Sequence, residues 1–110
     1  MAARFLTDFE LMVMLAVLRV RDDAYGVPIA RELEETAGRS VTLAAVYLAL
    51  ARLEEQGLVA SRLGEPTAER GGRAKKFFTV TRAGLRAVRH TQEAFVALWK
   101  GIPELTGGAA

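Results

Sequence analysis

VTLAAVYLALARLEEQGLVASRLGEPTAERGGRAKKFFTV, residues 41 to 80, decides how the rest of the chain is read. Its first part has Leu43, Val46, Leu50 and Leu53 at helical spacing. Thr42 stands where an N-cap would be, so a helix is expected from about Leu43 to Gln56, with Gly57 as its end. LVASRL, 58 to 63, and KKFFTV, 75 to 80, are rich in β-branched and aromatic residues and predict two antiparallel strands. Between them lies a loop, Gly64 to Ala74, well beyond the 2–5 residues or so of a usual hairpin. It is polar, carries Gly71-Gly72, and runs into Arg73, Lys75 and Lys76.

Working outward toward the N-terminus, Gly38 fits the C-terminal cap of a helix from about Tyr25 to Ala37. Ile29, Ala30 and Leu33 face inward there, and Arg31, Glu32, Glu34 and Glu35 face out. Pro28 is tolerable only in the first turn of that helix, where its missing N–H costs nothing. Before it, Thr7-Asp8-Phe9-Glu10 reads as a capping box, with Leu6 and Leu11 placed for a hydrophobic staple. The helix this starts, Asp8 to Val20, is apolar on nearly every side and predicts burial all round, a cover that a chain this short hardly completes without a second subunit. Toward the C-terminus, Thr81 caps a last helix from about Arg82 to Gly101, and Pro103 stops it. Val88, Thr91, Phe95, Leu98 and Ile102 are spaced as the seam of a helix packed on a partner helix. Gly84 is expected to be a close-packing position. The order helix, helix, helix, strand, long loop, strand, helix is a helix-turn-helix followed by a two-stranded wing. The expected fold class is therefore α+β, mostly α: a winged helix-turn-helix with a C-terminal dimerisation helix. Residues 1–81 form the DNA-binding domain in this reading, 82–103 the dimerisation helix, and 104–110 a flexible tail.

With 110 residues the chain is the size of one domain, and half of it is hydrophobic, more than a small monomer easily hides. There is no cysteine, hence no disulfide framework or thiolate metal site. The longest apolar run, Leu11 to Leu18, falls far short of the 20 or so residues of a membrane span. No signal peptide is apparent after Phe5-Leu6, and a cytoplasmic, soluble protein without membrane association is expected. Net charge is +2, but residues 61–90 carry eight basic side chains against Glu65 and Glu69, a local excess of +6. Such an excess is the footprint of a polyanionic partner, or else a solvated face. His90 has no second ligand beside it, and Glu34-Glu35 and Glu54-Glu55 are neighbours on helices, whose side chains diverge by about 100°. No nucleophile with its base, no phosphate-cradling loop and no metal cluster is seen, so an enzyme, a metal and a cofactor are not expected.

FELMVMLAVL, DAYGVPIARELEE, VTLAAVYLALARLEEQGLV and RGGRAKKFFTVTRAG, between Phe9 and about Gly84, together resemble the PadR-type transcriptional regulators, a bacterial winged-helix family. The single last helix resembles the short branch of that family. The resemblance implies a homodimer held by the first and last helices. It also implies repression through inverted-repeat double-stranded DNA in the bacterial nucleoid, relieved in some members by a small molecule. Ala44-Ala45 stand where the family pattern has an early glycine.

Within that frame the candidate DNA contacts are Thr42, Ala44, Ala45 and Tyr47 at the start of the third helix, and Arg70, Gly71, Gly72, Arg73 and Lys75 on the wing. Thr42 is a cap, a polar donor to DNA, or both. Ala44 and Ala45 are helix filler or let the helix sit deep against thymine methyls. Tyr47 donates to a phosphate or packs on the domain. Gly71-Gly72 lets the wing backbone approach DNA closely. Arg70 and Arg73 pair with phosphates or enter a narrow minor groove. Lys75 and Lys76 alternate faces, and Lys75, nearer the tip, is expected to be the one aimed at DNA. Phe95 and Trp99, one turn apart, are either dimer core or aromatic walls for a flat small-molecule effector, as resemblance to multidrug-sensing PadR-like proteins suggests. The competing function is a winged-helix module for protein–protein assembly, which would not need the basic wing.

Overall fold

Three of the four α-helices among the described residues begin at a threonine. A computed structural model describes residues 4–65 and 74–105. Helix α1, Asp8–Val20, starts with the full capping box: Thr7 Oγ1 accepts from Glu10 N, and Glu10 Oε1 accepts from Thr7 N. Helix α3, Leu43–Glu55, has Thr42 Oγ1 accepting from Ala45 N, and helix α4, Arg82–Trp99, has Thr81 Oγ1 accepting from Gly84 N. Each cap satisfies a backbone donor that the first helical turn leaves without a partner. Helix α2, Gly26–Ala37, differs: Tyr25 precedes it in extended backbone and gives no side-chain cap. Pro28 is its third residue, so the ring sits in the first turn, where no intrahelical bond is lost. Gly38 closes α2 at φ 68°, and its N–H returns to the Glu34 carbonyl.

Strands β1, Val59–Leu63, and β2, Lys76–Val80, pair antiparallel with Val59 opposite Val80 and Leu63 opposite Lys76. One face of this hairpin carries Val59, Phe78 and Val80 into the core. There they join Val13, Met14 and Val17 of α1, Ile29 and Leu33 of α2, Val46, Leu50 and Leu53 of α3, and Ala87 of α4. Burying each large side chain of this set contributes about 1.5–3 kcal/mol.

Three expectations change, and the cover of α1 is incomplete within the single chain. Leu43 is 43% exposed, because the first position of α3 lies beyond the core that Val46, Leu50 and Leu53 enter. Helix α1 is not covered all round: Leu15 is exposed, and Met12 and Leu18 only half-buried, along a groove bounded by Leu33, Thr36 and Ala37 of α2. The seam on α4 is split. Val88 packs on the chain's own core, and Thr91 is buried with its Oγ1 accepting from Leu6 N at 3.0 Å. Only Phe95 and Leu98, with half-buried Ile102, are left outward. Helix α4 also ends two residues earlier than expected, at Trp99, because Gly101 turns the backbone at φ 78° before Pro103.

Glu10 does more than close the capping box. Its carboxylate is nearly buried and also accepts from Arg4 at 3.1 Å. Burial pushes its pKa up, but bonds from Arg4 and Thr7 together outweigh that and leave it below the ordinary 4.5. A depressed folded pKa gives stability that is present above about 4.5 and lost as pH falls through the folded value. Thermal melts between pH 7 and pH 3 should therefore fall less steeply in Glu10→Gln than in the wild type, with the variant the less stable at pH 7. Parallel curves would show that Glu10 plays no part in the acid loss.

Candidate nucleic-acid interface

The start of α3 stands clear of the protein while its far side is locked in the core. Thr42, Leu43 and Ala44 are exposed, and Ala45 is half-buried, lining a hollow with Thr7 and with Phe9 and Glu10 of α1. Tyr47 is 37% exposed, with its ring across the beginning of α2. A Cβ at Gly26 would fall 2.3 Å from the Tyr47 hydroxyl, so the glycine is what leaves room for the ring. Phe78 lies on the other side, ring centroids 6.5 Å apart. The two readings of Tyr47 thus meet in one residue: the ring packs on the domain, and more than a third of the side chain's host residue is open to solvent. Of the two alanines, Ala44 is the exposed one.

Beside this surface rises the root of the wing. Lys75 is half-buried, its Nζ 4.4 Å from the centre of the Tyr25 ring and 3.4 Å from the Tyr25 hydroxyl. Lys76, on the opposite face, turns back to Glu54 of α3 at 3.8 Å. Strand alternation therefore separates the two lysines as expected. Arg62 stacks on Phe77 of the neighbouring strand at 4.8 Å. Arg70, Gly71, Gly72 and Arg73 lie outside the described residues. Arg82, Arg86 and Arg89 are exposed on α4, so the basic excess of residues 61–90 is divided between hairpin and helix.

An α3 with an open first turn, set after α2 by a short connection and followed by a basic hairpin, is the layout of a winged helix-turn-helix. A family model described as the transcriptional regulator PadR-like family matches residues 14–90. The chain belongs to the PadR-like family of transcriptional regulators. Its fold is accordingly a DNA-binding winged helix, and the family is one of regulators rather than enzymes. The chain is similar to a PadR-family transcriptional regulator from Eggerthella lenta, with 29% identity, a TM-score of 0.68, and 86% of this chain and 80% of that one covered. It is similar to hsRosR-S4, solved as a complex, at 26% identity and a TM-score of 0.66, covering 93% and 81% of the two chains. A transcriptional regulator from Clostridium thermocellum shares the fold at 20% identity, with a TM-score of 0.70 over 88% and 91% of the two chains. Among curated proteins, no sequence matches.

Two features of this PadR-like chain escape a reading of the sequence alone. Tyr25 reaches the wing only because α2 begins beside β2, a contact 50 residues away in the chain. Leu43 shows itself only as an apolar residue at the first position of a helix, where helical spacing assigns it to the core. At the other end of the molecule, Phe95 and Trp99 are 55% and 57% exposed. With Leu98, Ile102 and Leu105 they line an open apolar hollow of about 260 Å³. No helix among the described residues is long and apolar enough to cross a membrane, and no group of three metal-ligating side chains occurs among them.

Proposed function

We propose that the protein is a homodimeric transcriptional repressor that binds an inverted-repeat operator in double-stranded DNA. The observation that carries this reading is the open first turn of α3, with Thr42, Leu43, Ala44 and Tyr47 on one outward surface beside the wing root. In the major groove, Thr42 and Tyr47 contact phosphate or base edges, and Leu43 and Ala44 face thymine methyls. Arg70, Gly71, Gly72, Arg73 and Lys75 follow the adjacent backbone or minor groove. Ala45, half-buried in the hollow beside α1, contributes by its small size rather than by contact. Residues 82–103 serve as the dimerisation element: the exposed Phe95, Leu98 and Trp99 of α4, with the uncovered Leu15 side of α1, are the apolar surface a second subunit would cover. Such a protein works in the bacterial cytoplasm, on the nucleoid.

Titration of labelled duplexes with the purified protein at several salt concentrations tests this. If each subunit neutralises three to four phosphates, log K should fall against log salt with a slope of about −5 to −7. An inverted repeat with half-sites about one helical turn apart should be preferred over random sequence. Affinity for no duplex, or one insensitive to salt, would favour the protein–protein module instead. The hollow at Phe95 and Trp99 extends the reading to a flat aromatic effector that releases the operator. Planar aromatic compounds should then quench Trp99 fluorescence to saturation and weaken operator binding together, since a ligand shifts DNA affinity only by its differential energy for the two states. Quenching without any change in DNA affinity would remove the effector from the proposal.

A further inference from the structure

Arg62, Phe77, Tyr25 and Lys75 form one continuous stack at the root of the wing. Arg62 lies 4.8 Å over Phe77, Phe77 meets Tyr25 edge-on at 5.5 Å, and Lys75 Nζ sits 4.4 Å over the other ring. The backbone fixes this stack at both ends. Phe78 N donates to the Ala24 carbonyl at 2.8 Å, tying β2 to the residue just before Tyr25. Gly64 N donates to the Lys75 carbonyl at 2.8 Å, carrying the ladder one step past the paired strands. A Cβ at Gly64 would lie 2.7 Å from the Phe77 ring, so glycine there leaves the ring its place.

From this geometry we infer that Tyr25 is a positioning residue for DNA binding, acting through Lys75. The inference rests on the function proposed above. A lysine on a free hairpin loses its rotamer freedom when it meets a phosphate. Here the ring face attracts the ammonium, and the hydroxyl takes a long hydrogen bond from it at 3.4 Å. Lys75 is thereby ordered before DNA arrives, against the residue that immediately precedes α2. An ammonium over a ring keeps its remaining N–H donors for a phosphate oxygen. Lys76 cannot replace it, since its side chain is drawn to Glu54 on the other face.

A double-mutant cycle in the full chain tests this against a random-sequence duplex of fixed length, with affinity and its salt slope as readouts. Lys75→Ala should make the slope shallower by about 0.9 per phosphate lost, hence by about 2 for a dimer. Tyr25→Leu and Tyr25→Ala should each weaken binding with the slope nearly kept, since the Lys75 charge remains, and combining either with Lys75→Ala should weaken binding no further than Lys75→Ala alone. Tyr25→Phe, which keeps the ring, should stay near the wild-type affinity and slope. Thermal melts separate folding loss from binding loss, and Tyr25→Leu keeps the buried bulk if the alanine variant unfolds. Effects on affinity that add in the double mutant, or Tyr25→Leu and Tyr25→Ala variants that bind as tightly as the wild type, would overturn the inference while leaving DNA binding intact. Wild-type protein that binds no duplex would overturn the proposed function itself.

Discussion

Leu98→Glu should give a folded protein that sediments as a monomer and no longer holds an inverted-repeat operator. Leu98 is 74% exposed in the single chain, so a carboxylate there remains in water and touches nothing in the core. The isolated subunit should melt as the wild-type subunit does. In a two-fold dimer the same position is buried twice, because a two-fold interface uses the same patch on both subunits. An unpaired buried charge costs several kcal/mol, and two of them raise the dissociation constant by roughly 10⁴ or more. Separated subunits then meet the two half-sites independently and lose the gain from linked binding, about 10²–10⁴ in affinity. Sedimentation at micromolar concentration and operator titration read the two effects. A variant that remains dimeric would place the interface elsewhere, and a wild type that is monomeric there would remove the dimer from the proposal.

That Leu98 is exposed while Thr91, two turns earlier, is buried could not be read from spacing. Both sit on one periodic row, and periodicity reports only that a face is apolar, not whose surface covers it. Thr91 is taken by Leu6, a residue 85 positions away, and Leu98 lies beyond the reach of the chain's own core. The helix starts were legible for the opposite reason. A Thr7, Thr42 or Thr81 cap is completed within three residues, so local chemistry decides it. The hairpin likewise began and ended within a residue of its expected bounds. For the candidate interface the same division holds. Strand alternation separated Lys75 from Lys76, but their partners, Tyr25 and Glu54, come from other elements. Tyr47 lies over Gly26 because α2 and α3 cross there, which no helical pattern encodes.

Gly84→Ala should act in the reverse way, damaging the subunit and changing how two subunits meet. In most helices this exchange stabilises, by up to about 1 kcal/mol. At Gly84 a Cβ would stand 2.1 Å from the Leu58 carbonyl oxygen, 2.8 Å from a Val80 methyl and 2.9 Å from the end of Met14. Met14 has a flexible tip and can give way. The Leu58 oxygen cannot move freely, since it accepts from Thr81 N at 3.1 Å, the bond that seats the start of α4 against β1. Overpacking of this kind costs about 1–3 kcal/mol, which exceeds the helical gain and lowers the melting temperature by several degrees. The chain relieves the contact by lifting the first turn of α4. From Gly84 to Leu98 the helix runs for about 20 Å, so a small lift at its base swings Phe95, Leu98 and Trp99 sideways. In a dimer joined through those residues, that swing alters the distance between the two α3 helices. Melting curves, together with binding to operators whose half-sites are moved apart or together by one base pair, should show lower stability and a shifted spacing preference. A variant as stable as the wild type would mean that the Leu58 backbone yields without cost, and that Gly84 does not set the angle of α4.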